Sequence, residues 1–590
     1  MQICNIKNRK QVYILVLLVM AILMAVFANS FYWPYEEFSK RKFLVGLIVF
    51  CGVVIVPVLA VTIEEFYRRV KKYIHCVNCI AEKIWERKKR VAFFLCIALV
   101  GMGLSWVATY IVSRFMLQTE YNLHLFYTIV AVGAIVLFAI FMWKNAAQKP
   151  ESIFVVIALI LGIFCIGVTP DRVGVSWDDE IHYARTLEVS NFLNGIMYEA
   201  DEKNIREYVD NIYARTGYDR QSDHRYREEL ENVYEAKEWN AHEFSDYAVY
   251  SVSYIPSAIG IILARGLGLS YIGVFNMGRF FNLIMYVLLI YLAIKRIKYG
   301  KILIATIGLI PTSIFMAASY SYDPWVTGFT ILGFAYFFAE LQDDKPLENK
   351  NILIMIGAIT LGCFPKATYF PMLFPLLFIP KKKFNSSKQR GFYYLMVVGA
   401  GAILVSTYLL PMLINGAGTG DFRGGPDVNS TEQIRFILNN PLEYAKILLK
   451  FDLDYVALAN SGSMLQKFAY VGNGYLYSTV GLTLVVMAFL DRGENEKNYI
   501  RIKGAGLLGC TAAIIVSTTA LYVSFTAVAS GTVAGMQGRY IVPTIYPALY
   551  SLGIGGITHK INKNAFVCVP MLLIAITFIG NMAYFCVIGY

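Results

Sequence analysis

One stretch decides the fold: "SIFVVIALILGIFCIGVT" (152–169), which runs directly into "PDRVGVSWDDEIHYAR" (170–185). The first part is a continuous run of apolar and small residues, long enough to cross about 30 Å of hydrocarbon as a helix. From Gly174 onward, the second part places two aspartates, a glutamate, a histidine and an arginine beside that helix. The stretch predicts a membrane-spanning helix that ends in a charged segment at the membrane surface.

The apolar pattern is repeated along most of the chain. Of its 590 residues, 57% are hydrophobic and 16% are charged, whereas a soluble protein of this length carries more charge. We predict an all-α, polytopic bundle of about 13–15 transmembrane helices. The predicted spans lie at about 12–33, 43–63, 91–113, 122–143, 152–169, 273–294, 302–319, 324–340, 351–364, 366–380, 392–415, 473–490, 503–528, 540–558 and 565–588. The short runs near 351–380 have the length of half-helices, which leaves the count open.

The charge distribution orients these spans. The net charge is +12, but the lysines and arginines gather in short loops such as "KRIKYGK" (295–301) and "PKKKFNSSKQR" (380–390). That pattern follows the positive-inside rule and argues against nucleic-acid binding. It places the N-terminus in the cytoplasm and two large loops, 170–247 and 416–471, outside. The run 248–269 is predicted to be a juxtamembrane or re-entrant helix, because a full crossing would put "KRIKYGK" outside.

Two modules are expected. Residues 1–150 form a four-span accessory module with a basic cytoplasmic segment, and residues 151–590 form the main membrane module with both large loops. The basic segment contains "HCVNC", in which Cys76 and Cys79 have C-x-x-C spacing. A zinc site needs about four ligands, and no second pair lies nearby, so we expect free thiols.

Polar residues from distant parts of the chain are predicted to lie at one depth, the outer ends of the spans. Ionisable groups near hydrocarbon are costly and usually mark a functional site. The candidates are Asp178, Asp179, His182, Arg185, Arg279, Asp323, Lys366, Gln537 and Arg539. In a helix that begins near Trp177, Asp178, His182 and Arg185 would share one stripe.

Several candidates also have an ordinary structural explanation, but it fits Arg539 less well, because Arg539 follows Gly538 in a segment too glycine-rich to be an ordinary helix interior. Arg279 and Lys366 would extend to lipid headgroups, and Asp323 before Pro324 would cap a helix. Asp178 and Asp179 would cap the helix that follows them. A shared depth for all of these groups favours a site.

A carboxylate beside several cations at the membrane surface suits a substrate that carries a phosphate. Lysine and arginine would hold the phosphate, and the carboxylate would act as general base on an incoming hydroxyl. Group transfer from a lipid phosphate requires both functions, because the phosphate leaves as its charge develops.

Five motifs carry a family resemblance: "DDEIHYAR", "NMGRFFN", "PTSIFMAASYSYD", "PKATYFPM" and "GMQGRYIVP", in that order. The chain resembles the GT-C superfamily of integral membrane glycosyltransferases. More narrowly, over about residues 155–560, it resembles a bacterial membrane family of unknown function found among cell-surface polysaccharide genes. The resemblance implies a GT-C-type bundle in the bacterial plasma membrane. It also implies transfer of a sugar from a polyprenyl-phosphate donor to a cell-surface glycan acceptor at the extracytoplasmic face.

The same resemblance implies roles for individual residues. Asp178 would be the catalytic base and Asp179 would assist, while Arg279, Lys366 and Arg539 would meet the donor phosphate. The chain has three consecutive acids where the family has Asp-Glu, so Glu180 remains a candidate base, although the spacing to His182 and Arg185 favours Asp178. Some GT-C enzymes use a divalent metal, and binding of Mg²⁺ or Mn²⁺ by Asp178 and Asp179 stays open.

Two other functions remain as alternatives. A flippase or transporter for lipid-linked sugars needs a polar path to both faces and often has internal repeats, and the sequence has neither a convincing repeat nor mid-span polar residues. A polymerase or ligase of surface polysaccharide would use a pyrophosphate-linked donor at the same face.

Overall fold

The computed structural model describes residues 88–118, 121–193, 249–415, 421–456, 477–494, 496–557 and 559–583, together with Leu465, Phe468 and Ala469. Several predictions lie outside these ranges: the spans 12–33 and 43–63, Cys76 and Cys79, and much of both large loops. The division of the chain at residue 150 stays a prediction.

The prediction of an all-α, polytopic membrane protein is confirmed. Within the described ranges, nine helical segments are long and apolar enough to cross a membrane. The α-helices are α1 (Lys88–Ile111), α2 (Leu123–Met142), α3 (Pro150–Val168), α4 (Asp179–Leu193), α5 (Ile255–Gly266), α6 (Tyr271–Arg296), α7 (Lys301–Gly308), α8 (Pro311–Ala317), α9 (Asp323–Gln342), α10 (Asn349–Cys363), α11 (Ser387–Asn415), α12 (Ser430–Asn439), α13 (Pro441–Val456), α14 (Tyr477–Leu490), α15 (Ile500–Ser524), α16 (Val542–Leu552) and α17 (Lys563–Ala583). Three 3₁₀ segments, Val249–Tyr254, Phe364–Phe378 and Gly538–Tyr540, adjoin the site described below.

Charged side chains lie in two layers at opposite ends of the bundle. One layer, the basic face (residues 295–301, 340–351, 380–390 and 491–503), is joined by ion pairs such as Arg296–Glu340 and Lys497–Asp344. The other, the Asp178 face, contains residues 169–193, 318–323, 364–369 and 524–540. In α6, Arg279 of the Asp178 face precedes Lys295 of the basic face by about 24 Å of helix, close to the thickness of the hydrocarbon layer. The predicted alternation of span ends between two faces agrees with these contacts.

The segment Asn349–Phe378 doubles back on itself. The Leu347 amide donates to the Lys383 carbonyl (2.7 Å), so both ends of the segment lie at the basic face. The turn is at Lys366, whose φ of −143° and ψ of 77° break the helix. Pro371 and Pro375 then hold the second arm of this helical hairpin in a 3₁₀ conformation, because proline has no N–H for a helical hydrogen bond. The two predicted spans 351–364 and 366–380 are therefore the arms of one hairpin.

Helix α5 lies beside α4 at the Asp178 face, as predicted for a juxtamembrane helix. Tyr254, just before α5, contacts His182 near the start of α4. Arg265, near the end of α5, donates to Ser190 and Asn191 near the end of α4 (both 3.2 Å). Because the two helices run side by side at one face, α5 does not cross the bundle.

Two predicted helices are interrupted. The span 302–319 is divided into α7 and α8 before Pro311, and Asp491 accepts hydrogen bonds from the Ile302 and Leu303 amides at the start of α7. In the second large loop, the sequence "EQIRFILNNPLEYAKILLKF" (432–451) has the period of an amphipathic helix, and the structure divides it into α12 and α13 at Pro441. Both prolines are visible in the sequence, and each ends a helix because it lacks the N–H donor.

Lys383 should be required for the stability of the hairpin. Its buried ammonium group donates to the Asp343 and Lys345 carbonyls. Replacing Lys383 by alanine leaves these carbonyls without their donor, at a cost of about 1–3 kcal/mol. We expect a lower thermal unfolding temperature in detergent for Lys383→Ala, with no change for Lys382→Ala, whose side chain is exposed. Equal unfolding temperatures for the two variants would contradict this role.

Candidate functional site

Arg539 is the centre of the site. Its side chain is only 2% exposed, and its guanidinium binds two carboxylates, Asp178 (2.5 Å) and Asp323 (3.1 Å). It also donates to the Trp177 carbonyl (3.1 Å). Asp178, Asp323 and Arg539 were all predicted to belong to the site. They come from distant parts of the main membrane module and meet at the Arg539 guanidinium. Ser321 Oγ donates to Asp323 (2.9 Å) and accepts from the Asp323 amide, which fixes that carboxylate.

A glycine-rich segment allows Arg539 to enter the bundle. Gly535 has a φ of +79°, a conformation that favours glycine, and Gly538–Tyr540 is a single 3₁₀ turn before α16. Gln537 lies in the same segment, and its side-chain oxygen is buried without a hydrogen-bond partner among the described residues. The sequence prediction that this segment is not an ordinary helix interior is confirmed.

Lys366 approaches the same site from the turn of the hairpin. Its ammonium group lies over the Tyr540 ring, and Tyr369 on the same arm donates to the Tyr540 carbonyl (2.7 Å). The Lys366 Nζ atom is buried and has no hydrogen-bond partner within the described part of the chain. It does not extend to a headgroup position, and its hydrogen-bonding capacity is available to a ligand.

The two adjacent aspartates have different roles. Asp178 has a φ of +54°, a left-handed conformation that non-glycine residues rarely adopt, and its side chain is 29% exposed. Asp179 is buried and accepts hydrogen bonds from the Gly174, Val175 and Ser176 amides. Asp179 therefore organises the preceding loop, and Asp178 is the acid that reaches the site. Asp178 precedes α4, so the predicted helical stripe does not include it.

Arg423 is a site residue that the sequence analysis missed. It belongs to the second large loop, where Asp421 binds it through both carboxylate oxygens, and it also donates to Asp178 (3.2 Å). The loop is held by the Asp421 amide, which donates to the Ser524 carbonyl (2.7 Å). The signal in the sequence was the short motif "DFRGG" (421–425), in which an acid two residues earlier orients the arginine.

An aromatic cluster supports the other side of Asp178. The His182 Nδ1 atom lies 2.8 Å from the Tyr254 hydroxyl, and the ring packs edge-on against Tyr322. Burial, together with the charge of Arg539, lowers the pKa of His182 to about 4. His182 is therefore neutral near pH 7. Its Nε2 atom is buried with no hydrogen-bond partner among the described residues.

Two predicted members of the site have other partners. Arg279 is buried and uses its guanidinium to hold Thr169, the Pro170 carbonyl (3.2 Å) and the Ala318 carbonyl (2.8 Å). The expectation that it meets a ligand phosphate is therefore corrected: its hydrogen bonds fasten α6 to the loop after α3. Arg185 forms an ion pair with Glu188 on its own helix (2.8 Å).

The arrangement of the two aspartates does not fit a divalent metal. Three backbone N–H groups occupy the Asp179 carboxylate, and two guanidinium groups bind Asp178. Mg²⁺ and Mn²⁺ prefer free carboxylate oxygens and water. Across the described residues, no group of three or more histidine, cysteine or acidic side chains is placed to hold a metal ion.

An apolar groove begins beside Lys366. Its volume is about 490 Å³, within the usual range for a small-molecule site. The residues that follow Lys366, Ala367 and Thr368, form one wall. The remaining lining comes from Phe370, Leu404, Val405, Ile434, Ile437, Leu438, Val516, Thr519, Ala520 and Val523. The groove runs among α11, α12 and α15, and its wall includes the two residues that follow Lys366 in the chain.

Arg539 should contribute far more to stability than Arg423. Removing one partner from a buried ion pair leaves uncompensated charge and costs roughly 3–5 kcal/mol, whereas exposed pairs contribute about 0–1 kcal/mol. The Arg423 side chain is 53% exposed. We expect Arg539→Met to lower the thermal unfolding temperature strongly and Arg423→Met to leave it nearly unchanged. Similar losses in the two variants would show that Arg539 does not hold the site together.

Comparison with known proteins places the whole of this site in one family. A family model described as "Predicted membrane protein (DUF2142)" matches residues 159–547, which include Asp178, Asp323, Lys366, Arg423 and Arg539. No curated protein and no solved structure matches the chain. The chain belongs to the DUF2142 family of predicted membrane proteins.

Proposed function

We propose that the protein is a glycosyltransferase that moves a sugar from a polyprenyl-phosphate donor to a cell-surface glycan, at the extracytoplasmic side of a bacterial membrane. One observation carries the proposal. The partly exposed carboxylate of Asp178 is held by Arg539, and the buried Lys366 Nζ atom lies over Tyr540, the residue after Arg539. The two residues that follow Lys366 in the chain line an apolar groove. A lipid phosphate needs an apolar groove for its chain and cations for its phosphate.

The donor would bind with its phosphate near Lys366 and Arg423 and its isoprenoid chain in the groove. Lys366 has no hydrogen-bond partner to give up within the described part of the chain, and Arg423 is accessible from outside. Arginine forms bidentate contacts with phosphate. Arg539 would act chiefly by orienting Asp178, because its guanidinium is already bound to two carboxylates.

In the proposed reaction, Asp178 accepts one proton. The acceptor hydroxyl oxygen forms a bond to the anomeric carbon of the sugar as the bond between that carbon and the phosphate oxygen breaks. The hydroxyl proton moves to Asp178, and the polyprenyl phosphate leaves with the bonding electrons. The cations stabilise the charge that develops on the leaving phosphate.

The position of the charges favours transfer at one face over transport across the membrane. A transporter places its binding site near the middle of the bilayer and reaches both faces in turn. In the described ranges, charged side chains lie at the Asp178 face and the basic face, and the buried residues between them are mainly apolar. A polymerase or ligase that uses a pyrophosphate-linked donor differs only in its donor, and assays with both donors distinguish it.

Asp178→Asn should abolish transfer and leave the fold intact. Asparagine also tolerates a positive φ but accepts no proton, and loss of a general base costs about 10²–10⁴-fold in rate. The assay follows a labelled sugar from a polyprenyl-phosphate hexose in lipid nanodiscs, with Asp454→Asn, an exposed acid at the same face, as control. Full activity in Asp178→Asn would overturn the assignment, and loss in Glu180→Gln alone would move the base to Glu180.

The pH profile gives a second measurement on the same residue. Burial acts to raise the pKa of Asp178, but Arg539 and Arg423 hold it below its usual value. The carboxylate is then ionised throughout the range above about pH 4, and transfer slows only as the pH falls through the lowered pKa. Arg423→Gln removes one of these cations, so we expect its acid limb to move to higher pH.

Lys366→Met should weaken the binding of polyprenyl phosphate at least tenfold, which corresponds to about 1.4 kcal/mol. The unsubstituted phosphate is the probe, and its affinity is measured in detergent by native mass spectrometry. Lys381→Met, at an exposed position of the basic face, is the matched control. Polyprenyl alcohol should bind equally to both variants, since it has no phosphate. Unchanged phosphate affinity in Lys366→Met would remove this lysine from the donor site.

A further inference from the structure

Helix α13 carries two parallel stripes of opposite chemistry. Leu442, Leu449 and Leu453 are spaced by seven and four residues, and so they share one stripe of the helix. The exposed Lys446 lies at the edge of this stripe, and a lysine in that position can extend its ammonium group to the headgroups. These leucines are 79%, 63% and 63% exposed. The next residue after each leucine is charged, namely Glu443, Lys450 and Asp454, and all three of these side chains are exposed. Three exposed leucines on one stripe of a helix are costly in water.

The third side of α13 packs against the membrane-spanning helix α15. The Tyr444 hydroxyl lies 2.6 Å from Thr519 Oγ1, and Thr518 Oγ1 donates to Asp452 (2.8 Å). Tyr444 and Asp452 are about 12 Å apart along α13, yet they contact neighbouring residues of α15. Helix α13 therefore crosses α15 at a steep angle and does not run parallel to it.

The crossing lies below the end of the span. Thr518 precedes Ser524, the last residue of α15, by six residues, or about 9 Å of helix. Amphipathic helices in the plane of a membrane bury their apolar side about 5–10 Å into the boundary between headgroups and acyl chains. The depth of α13 matches that range.

Exposed leucines also occur on the helices that adjoin α13. Helix α12, which precedes α13 directly, exposes Leu438 at 74%. Leu508 of the span α15 is 64% exposed, and Leu395 of the span α11 is 69% exposed. Because α11 and α15 cross the membrane, their exposed leucines contact acyl chains, and Leu438 of α12 lines the groove between these two helices.

We infer that residues 430–456 form an arm embedded in one leaflet at the Asp178 face, with the leucine stripe of α13 in the acyl chains and its charged stripe toward water. The segment is therefore not a loop in solution. The arm also supplies Ile434, Ile437 and Leu438 to the apolar groove, so one wall of that groove is itself in contact with the leaflet. This inference holds whatever reaction the Asp178 site performs.

The test compares adjacent residues on the two stripes. The variants Leu449→Cys and Lys450→Cys are placed in nanodiscs that contain one copy of the full chain. Each is labelled with a sulfonated maleimide, which does not enter the acyl-chain region. Peptide mapping separates the new thiol from the ten natural cysteines, and each rate is divided by the rate for the same variant unfolded in detergent. Leu395→Cys on α11 gives the rate for a residue in contact with lipid.

We expect Lys450→Cys to react at least ten times faster than Leu449→Cys, which should react as slowly as Leu395→Cys. Equal rates at positions 449 and 450 would overturn the inference. Rapid labelling of Leu449→Cys in single-copy discs, with protection only in crowded vesicles, would also overturn it in favour of a contact between two copies of the chain.

A second measurement uses the unaltered chain and does not depend on how the variants fold. A phosphatidylcholine with a diazirine in its acyl chain is irradiated in the nanodisc, and the adducts are located by mass spectrometry. Adducts at Leu449 and Leu453, with none at Lys450 and Asp454, are the expected result. Adducts absent from α13 while Leu395 is modified would place the helix outside the leaflet.

Discussion

The buried guanidinium of Arg539 is the interaction on which the site depends. A charge removed from water is tolerated only when it is paired and hydrogen-bonded, and Arg539 obtains its partners from Asp178, Asp323 and Trp177. These partners belong to the first large loop and to the start of α9. One electrostatic requirement therefore fixes the relative positions of segments that are hundreds of residues apart in the sequence, and it does so at the edge of the membrane.

Around Arg539, some charged residues hold the structure together and others are placed to bind a ligand. Arg279 and Asp179 are buried and satisfied by backbone groups, and they hold the loop between α3 and α4. Lys366, on the hairpin turn, has hydrogen-bonding capacity that no described residue uses. Arg423, in an ordered loop, is paired with Asp421 and Asp178 but is half exposed. The buried Arg279 and Asp179 therefore hold the loop in place, whereas Lys366 and Arg423 are the basic side chains that a ligand can reach.

Hydropathy and basic loops were enough to predict the helical class, the two faces and the two short spans that meet beside Lys366, because length and charge determine how a helix crosses a membrane. The same reasoning predicted how deep in the membrane a residue lies, but not toward which neighbouring helix its side chain points. Arg279 and Lys366 were both assigned to the site by depth, and only Lys366 points into it. Arg423 was missed because a residue in a loop has no hydropathy pattern that fixes its depth, and tertiary contacts with Ser524 place it.

The ion pairs of the site have a consequence for how any anion enters it. The acids Asp178, Asp323 and Asp421 are already paired with the two arginines Arg539 and Arg423. An arriving anion must take the place of a carboxylate at Arg423, which is an exchange between like charges with a small net gain. The amino group of Lys366 is then the group that distinguishes one incoming anion from another, because no described residue uses its hydrogen-bonding capacity.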